Sequence, residues 1–183
     1  MNKKTVFEKA VYDSAFRVLV SKNALEKRIQ QLGQQLTRDY RDKEPIIVGV
    51  LNGCFIFIAD LVRAIELDLE IDFLKISSYG DAQVSSGQVT MLKDLQADIR
   101  GRHVLVVEDI VDTGLSLKFL QEKLSALKPA SLKFVTLLYK KQKAKIHFEI
   151  DYIGFEIPDE FVIGYGLDHK QILRNLPAVY IMD

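Results

Sequence analysis

Two apolar rhythms alternate along this chain, and that alternation restricts the fold more than any other feature. Residues 46–51 (IIVGVL), 69–76 (LEIDFLKI), 103–107 (HVLVV) and 132–139 (LKFVTLLY) are short runs rich in branched aliphatics. The first follows Pro45 and is continuously apolar, which suits a strand buried on both faces. The second opens with strict alternation, the mark of a half-buried strand. Between these runs, apolar residues recur every three or four positions, as on one face of a helix. Leu25, Ile29, Leu32 and Leu36 form one such stripe; Phe55, Ile58, Val62 and Ile65 form a second. Leu117, Leu120, Leu124 and Leu127 form a third, which stops at Lys128-Pro129 because the residue before proline disfavours the helical region. Asn23 followed by Glu26 has the spacing of a capping box for the first helix. Strands interleaved with amphipathic helices predict an α/β fold, a mainly parallel twisted sheet with helices on both faces.

Two stretches break the pattern. Residues 77–90 (SSYGDAQVSSGQVT) are small and polar, too poor in apolar area to pack alone, and predict a long loop or loose hairpin. From Asp151 onward the chain is irregular, with short strands expected at 152–157, 161–164 and 178–182. That tail is too short for a core of its own and reads as a small subdomain over one end of the sheet. No repeat, low-complexity tract or linker divides the chain, so residues 1–183 are expected to form one domain.

Composition removes several function classes. Lys+Arg and Asp+Glu both total 25, whereas a nucleic-acid binder carries a basic excess or stripe. Cys54 is the single cysteine, so no intrachain disulfide exists. The opening MNKKTVFEKA has no apolar signal core, and runs such as Cys54 to Ala59 are far too short to span a bilayer. A cytoplasmic enzyme with no membrane partner is the expectation. His103, His147 and His169 lack metal-ligand spacing, and the apolar neighbours of Cys54 suggest a buried thiol.

The densest chemical signal is Val104 to Ser116, VLVVEDIVDTGLS. An apolar strand runs into adjacent acids, Glu108 and Asp109; Asp112 follows, and Thr113-Gly114-Leu115-Ser116 opens a helix. Open parallel sheets bind ligands at the carboxyl ends of their strands. The unpaired N–H groups of a helix start there form a phosphate site. Sugar hydroxyls and a divalent cation are ligands for the nearby acids. Helix capping alone would account for Asp112 and Thr113, but not for two acids at the end of VLVV.

VVEDIVDTG with the following Ser resembles the motif by which type I phosphoribosyltransferases bind phosphoribosyl pyrophosphate (PRPP). YIGFEIPDEFVIGYGLDH and LNGCFIFIADLVRAI are similar to signatures of the hypoxanthine-guanine branch of that family, and the resemblance covers roughly residues 10–183. It implies the type I phosphoribosyltransferase fold: a core of about residues 20–150, a C-terminal/N-terminal hood mainly at 151–183, and a mobile lid at about 77–90. The implied activity is purine salvage, in which PRPP and hypoxanthine or guanine give IMP or GMP and pyrophosphate.

The resemblance also assigns roles. Glu108 and Asp109 match the acids that hold the ribose hydroxyls, and Asp112 matches the general base at purine N7. Thr113, Gly114, Leu115 and Ser116 match the cradle for the 5-phosphate. Asn52, Gly53 and Arg174 match the pyrophosphate-binding groups, with a cis peptide implied at Leu51-Asn52. Ser78 and Tyr79 match the start of the lid. Lys140 matches the lysine that reads purine O6, Phe161 the aromatic that stacks on the base, and Val162 the residue whose backbone reads its edge. Asp168 lies near the base; with Glu108 and Asp109 it makes up the implied Mg2+ ligands. A homodimer or homotetramer is implied as well.

Asn52 stands where many members have a basic residue, and Leu115 where some have lysine, so phosphate binding would lean more on backbone N–H groups and Mg2+. Two alternatives frame the expectation. A sister enzyme would prefer xanthine or adenine. A PRPP-sensing regulator would lose the base site or gain a basic surface, neither of which this sequence shows.

Overall fold

The computed structural model describes residues 16–78 and 89–182. β1 (Arg17–Val20) leads into α1 (Lys22–Asp39), β2 (Ile46–Leu51), α2 (Phe55–Arg63), β3 (Glu70–Ser78), β4 (Val89–Lys93) and β5 (His103–Val111). α3 (Leu115–Ser125), β6 (Ser131–Tyr139), β7 (Tyr152–Glu156), β8 (Val162–Ile163) and β9 (Val179–Ile181) complete the order.

Six strands form the main sheet in the order β4-β3-β2-β5-β6-β7. All neighbours are parallel except β4, which pairs antiparallel on the edge of β3. Along β2 the side chains alternate between two cores: Ile47 packs under α1 and α2, while Ile46, Val48 and Val50 face the α3 side. That double burial is why β2 reads as an unbroken apolar run. The α1 stripe (Leu25, Ile29, Leu32, Leu36) and Leu117, Leu120 and Leu124 of α3 are all buried; each such side chain contributes roughly 1.5–3 kcal/mol. The chain leaves β2 toward β3 on one side and returns to β5 on the other, so the switch point lies between the carboxyl ends of β2 and β5.

Several expectations need correction. Asn23 and Glu26 form no cap. The N-cap is Ser21, whose hydroxyl accepts from the Ala24 N–H at 3.3 Å, and Asn23 lies inside α1. The third strand runs on through the acids to Val111 instead of stopping at residue 107, because its pairing with β6 continues past Glu108. Residues 152–157 supply β7 of the main sheet, not the hood. The hood is a separate antiparallel sheet, β1-β9-β8, so residues 17–20 belong to it. Most of the 77–90 segment lies outside the described residues. Its last two residues begin β4, paired with β3. No described helix is long and apolar enough to cross a membrane.

Candidate active site

The carboxyl ends of β2, β5 and β6 meet the hood, and the candidate residues collect at that junction. The Leu51-Asn52 peptide is cis, as the resemblance implied. After it, Gly53 passes so close to β5 that a Cβ there would lie 1.6 Å from Asp109 Oδ2. Gly166 of the hood in turn packs on the Gly53 carbonyl, where a Cβ would lie 2.1 Å away. Only glycine at both positions lets loop, strand and hood approach this closely. Asn52 is exposed beside them.

Glu108 and Asp109 are adjacent acids sunk in the end of a strand. Burial, with the neighbouring Asp109 charge, pushes the Glu108 carboxyl well above its usual range. Burial pushes Asp109 up to about 6, although the Ile110 N–H and the Arg174 guanidinium oppose the shift. Asp109 Oδ1 accepts from that N–H at 2.9 Å. Cys54 is fully buried, and burial together with these two acids pushes its thiol up, so it is no nucleophile.

Gly114 starts α3 in the left-handed region (φ 84°), with no side chain capping the helix. Ile146 sits where its Cβ would be, at 2.2 Å. The Leu115 N–H donates weakly to the hydroxyl of the exposed Thr113 at 3.5 Å, and a helix start of this kind is a site that can hold a phosphate.

Lys140 directly follows β6 and is buried, its side chain 6% exposed. Its Nζ lies 3.0 Å from Asp112 Oδ2 and 3.1 Å from Asp159 Oδ1. Lys143 Nζ reaches the same Asp159 oxygen at 3.0 Å and Asp112 Oδ1 at 2.9 Å. The contact to Asp112 is an ion pair without hydrogen-bond alignment, since Oδ1 has no hydrogen-bond partner. The carboxylates of Asp112 and Asp159 hold the Lys143 ammonium above its ordinary pKa. Sequence reasoning did not find Asp159 or Lys143; only the folding of residues 157–160 against the end of β6 brings them in, with the Ile157 N–H on the Tyr139 carbonyl at 2.9 Å.

A cavity of about 240 Å³ opens above this group, lined by Asp109, Asp112, Lys140, Phe161, Val162 and Asp168 among others. Phe161 is half exposed at its rim and meets the His169 ring edge-on at 5.9 Å. Val162 lies in β8, paired to Ile181. Glu108 does not line the cavity.

Asp168 and Arg174 face each other at 2.7 Å, and Arg174 also donates to the Gly166 carbonyl at 2.8 Å. Among the described residues no three His, Cys, Asp or Glu side chains form a ready metal cage; Glu108 is buried in the strand and Asp168 is paired with Arg174. What remains, Asp109 and Asp168 lining one cavity, fits an ion that takes most of its oxygens from water and a polyphosphate, as Mg2+ does. Of the two lid residues, Ser78 ends β3 and Tyr79 lies outside the described residues.

Comparison with known proteins agrees with this geometry. Residues 19–170 match the phosphoribosyl transferase domain family. Over 166 residues the chain is 45% identical to the hypoxanthine-guanine phosphoribosyltransferase of Bacillus subtilis, covering 91% of this chain and 92% of that protein. It is 46% identical over 162 residues to the hypoxanthine phosphoribosyltransferase of Haemophilus influenzae, covering 87% and 90%. A crystal structure of a Staphylococcus aureus hypoxanthine phosphoribosyltransferase superposes with a TM-score of 0.90 at 39% identity, covering 100% of this chain and 97% of that one. Family match, sequence identity and superposition point the same way: this chain belongs to the phosphoribosyltransferase family, in its hypoxanthine-guanine branch.

Proposed function

We propose that this chain transfers the 5-phosphoribosyl group of PRPP to N9 of hypoxanthine or guanine, giving IMP or GMP and pyrophosphate. The observation that carries the reading is the Lys140–Asp112 pair, 3.0 Å apart on the wall of the cavity. O6 and N7 of an oxopurine sit side by side on one edge of the base. A donor beside an acceptor is the complement of that edge when N7 carries a proton. Adenine presents an amino donor in place of O6, which an ammonium cannot accept.

In this reading Phe161 stacks on the base and backbone groups near Val162 meet its far edge. The α3 N-terminus, with Thr113 to Ser116, takes the 5-phosphate. Glu108 and Asp109 accept from the ribose hydroxyls. Asn52 and Gly53 face the pyrophosphate, with Arg174 released from Asp168 to join them. As the C1–pyrophosphate bond breaks and the N9–C1 bond forms, Asp112 takes the N7 proton. The charge building on the ribose resembles that in glycoside cleavage. Asp109 and Asp168 would hold Mg2+, which would supply charge neutralisation for PRPP. Residues of the 77–90 lid, from Ser78 and Tyr79, would exclude water. A homodimer or homotetramer in the cytoplasm is part of the same reading.

Incubation with PRPP, Mg2+ and hypoxanthine tests it directly. The reading expects IMP and pyrophosphate in equal amounts. Pyrophosphate release that does not depend on the base would overturn it.

A further inference from the structure

An ammonium has three N–H donors. Two of those on Lys140 are committed, one to Asp112 Oδ2 and one to Asp159 Oδ1. The third has no partner among the described residues, and Lys140 lines the cavity. One hydrogen bond to Asp112 sets the torsion about Cε–Nζ but leaves Nζ free to pivot about that oxygen as the side chain swings. Two carboxylates on different loops hold Nζ at two points, and so fix where the third N–H lies and points.

We propose that Asp159 is the positioning residue that aims Lys140 at purine O6, and that Lys143 holds Asp159 in place for it. Asp159 does not line the cavity and touches the base only through Lys140. Its own side chain is half exposed, as is its contact to Lys143, so the pair adds little to stability and its effect is on geometry. A rigid donor discriminates by the position of its acceptor, whereas a mobile one is satisfied by water as readily as by O6. The two basic neighbours Lys140 and Lys143 share one Asp159 oxygen, which fixes that oxygen between them. The inference rests on Lys140 as the reader of O6, and the test separates the two.

Calorimetric binding of IMP is compared with binding of purine riboside 5′-monophosphate, which lacks the 6-oxygen and whose N1 is an acceptor instead of an N–H; that N1 difference is common to every variant, so the change in preference between variants reads O6. The full-length chain is used as wild type, Asp159→Ala, Asp159→Asn and Lys140→Ala, all with Mg2+. Asp159→Ala should lower the preference for IMP by about 10-fold or more, the scale of one charged hydrogen bond, while the analogue binds within about twofold of wild type. Asp159→Asn keeps an oxygen acceptor and should lose less of the preference. An unchanged preference in Asp159→Ala, with the preference lost in Lys140→Ala, overturns the role of Asp159. Equal loss of both nucleotides in Asp159→Ala overturns it too, since that marks a structural effect. If Lys140→Ala keeps the preference, the reading of Lys140 itself fails.

Discussion

Asp109→Asn should make the ligand-free protein more stable, and should do so only above a definite pH. The Asp109 carboxyl is raised from 3.8 to about 6 in the folded chain, chiefly by burial. A raised carboxyl pKa means that folding favours the protonated form, so the sign runs against the ordinary acid. Below pH 4 the group is protonated in both states and costs nothing. As pH climbs from 4 through 6, the folded chain must ionise a group the unfolded chain ionises freely, and the penalty reaches its full value above 6. At about 1.36 kcal/mol per pH unit, that value is about 3 kcal/mol as a ceiling. Asparagine keeps an acceptor for the Ile110 N–H and carries no charge. It also relieves Glu108, whose carboxyl is pushed up partly by Asp109. Urea unfolding in EDTA, without PRPP, should show the variant more stable by up to about 3 kcal/mol at pH 8, with little difference at pH 4. The same variant should bind PRPP more weakly, because the acid that is costly to bury is the one offered to the ribose. A stability difference that is absent at pH 8, or equal at pH 4 and pH 8, would refute the reasoning.

Three further outcomes are expected. Asp112→Asn should lower kcat roughly 10²–10⁴-fold, the range for a lost general base, with PRPP binding nearly unchanged; steady-state kinetics beside direct PRPP binding checks this. Asp72 ties the connector after β4 to β3, accepting from the N–H groups of Phe73 at 2.7 Å, Gln96 at 2.6 Å and Ala97 at 3.0 Å. Burial raises its carboxyl pKa, but those N–H groups outweigh burial and leave it lowered. Its stabilisation is therefore present above the ordinary aspartate pKa and lost as pH falls through the folded value. Asp72→Ala should cost about 2–3 kcal/mol at pH 7 in urea unfolding, and much less at pH 2. Excess EDTA should abolish transfer and added Mg2+ or Mn2+ should restore it, since Asp109 and Asp168 are anions that repel PRPP unless a cation lies between them; coupled-assay rates before and after chelation decide it.

The α1 face and the inner strands were legible in the sequence because each buries one stripe or one whole run, and period records that burial; the α2 stripe was misread, since that helix buries Phe57, Ile58 and Leu61 while Phe55 is exposed, and Leu127 lies exposed beyond the end of α3. Leu25, Ile29, Leu32 and Leu36 all lie in the core the stripe implied. What escaped detection lacked such a record. β1 is four residues long with only Val20 buried, too few for alternation to stand out. β5 continues through Glu108 and Asp109, where polar side chains hide a strand that backbone pairing maintains. Ser21 lies two residues before the apparent capping box, and its N-cap role shows in the backbone geometry and in its bond to Ala24. At the site, the motif from Val104 to Ser116 is local and could be read directly. Asp159 and Lys143 could not, because their meeting with Lys140 and Asp112 depends on two loops folding together.

The most direct test of the central claim is competition among bases for one enzyme. With PRPP and Mg2+ fixed, kcat/KM is measured for hypoxanthine, guanine, xanthine and adenine. The Lys140–Asp112 edge predicts efficient use of hypoxanthine and guanine, with adenine poorer by about 10⁴ or more, the penalty for leaving buried donors unpaired. Adenine converted as readily as hypoxanthine would contradict the account, for then the lysine at the end of β6 does not read O6.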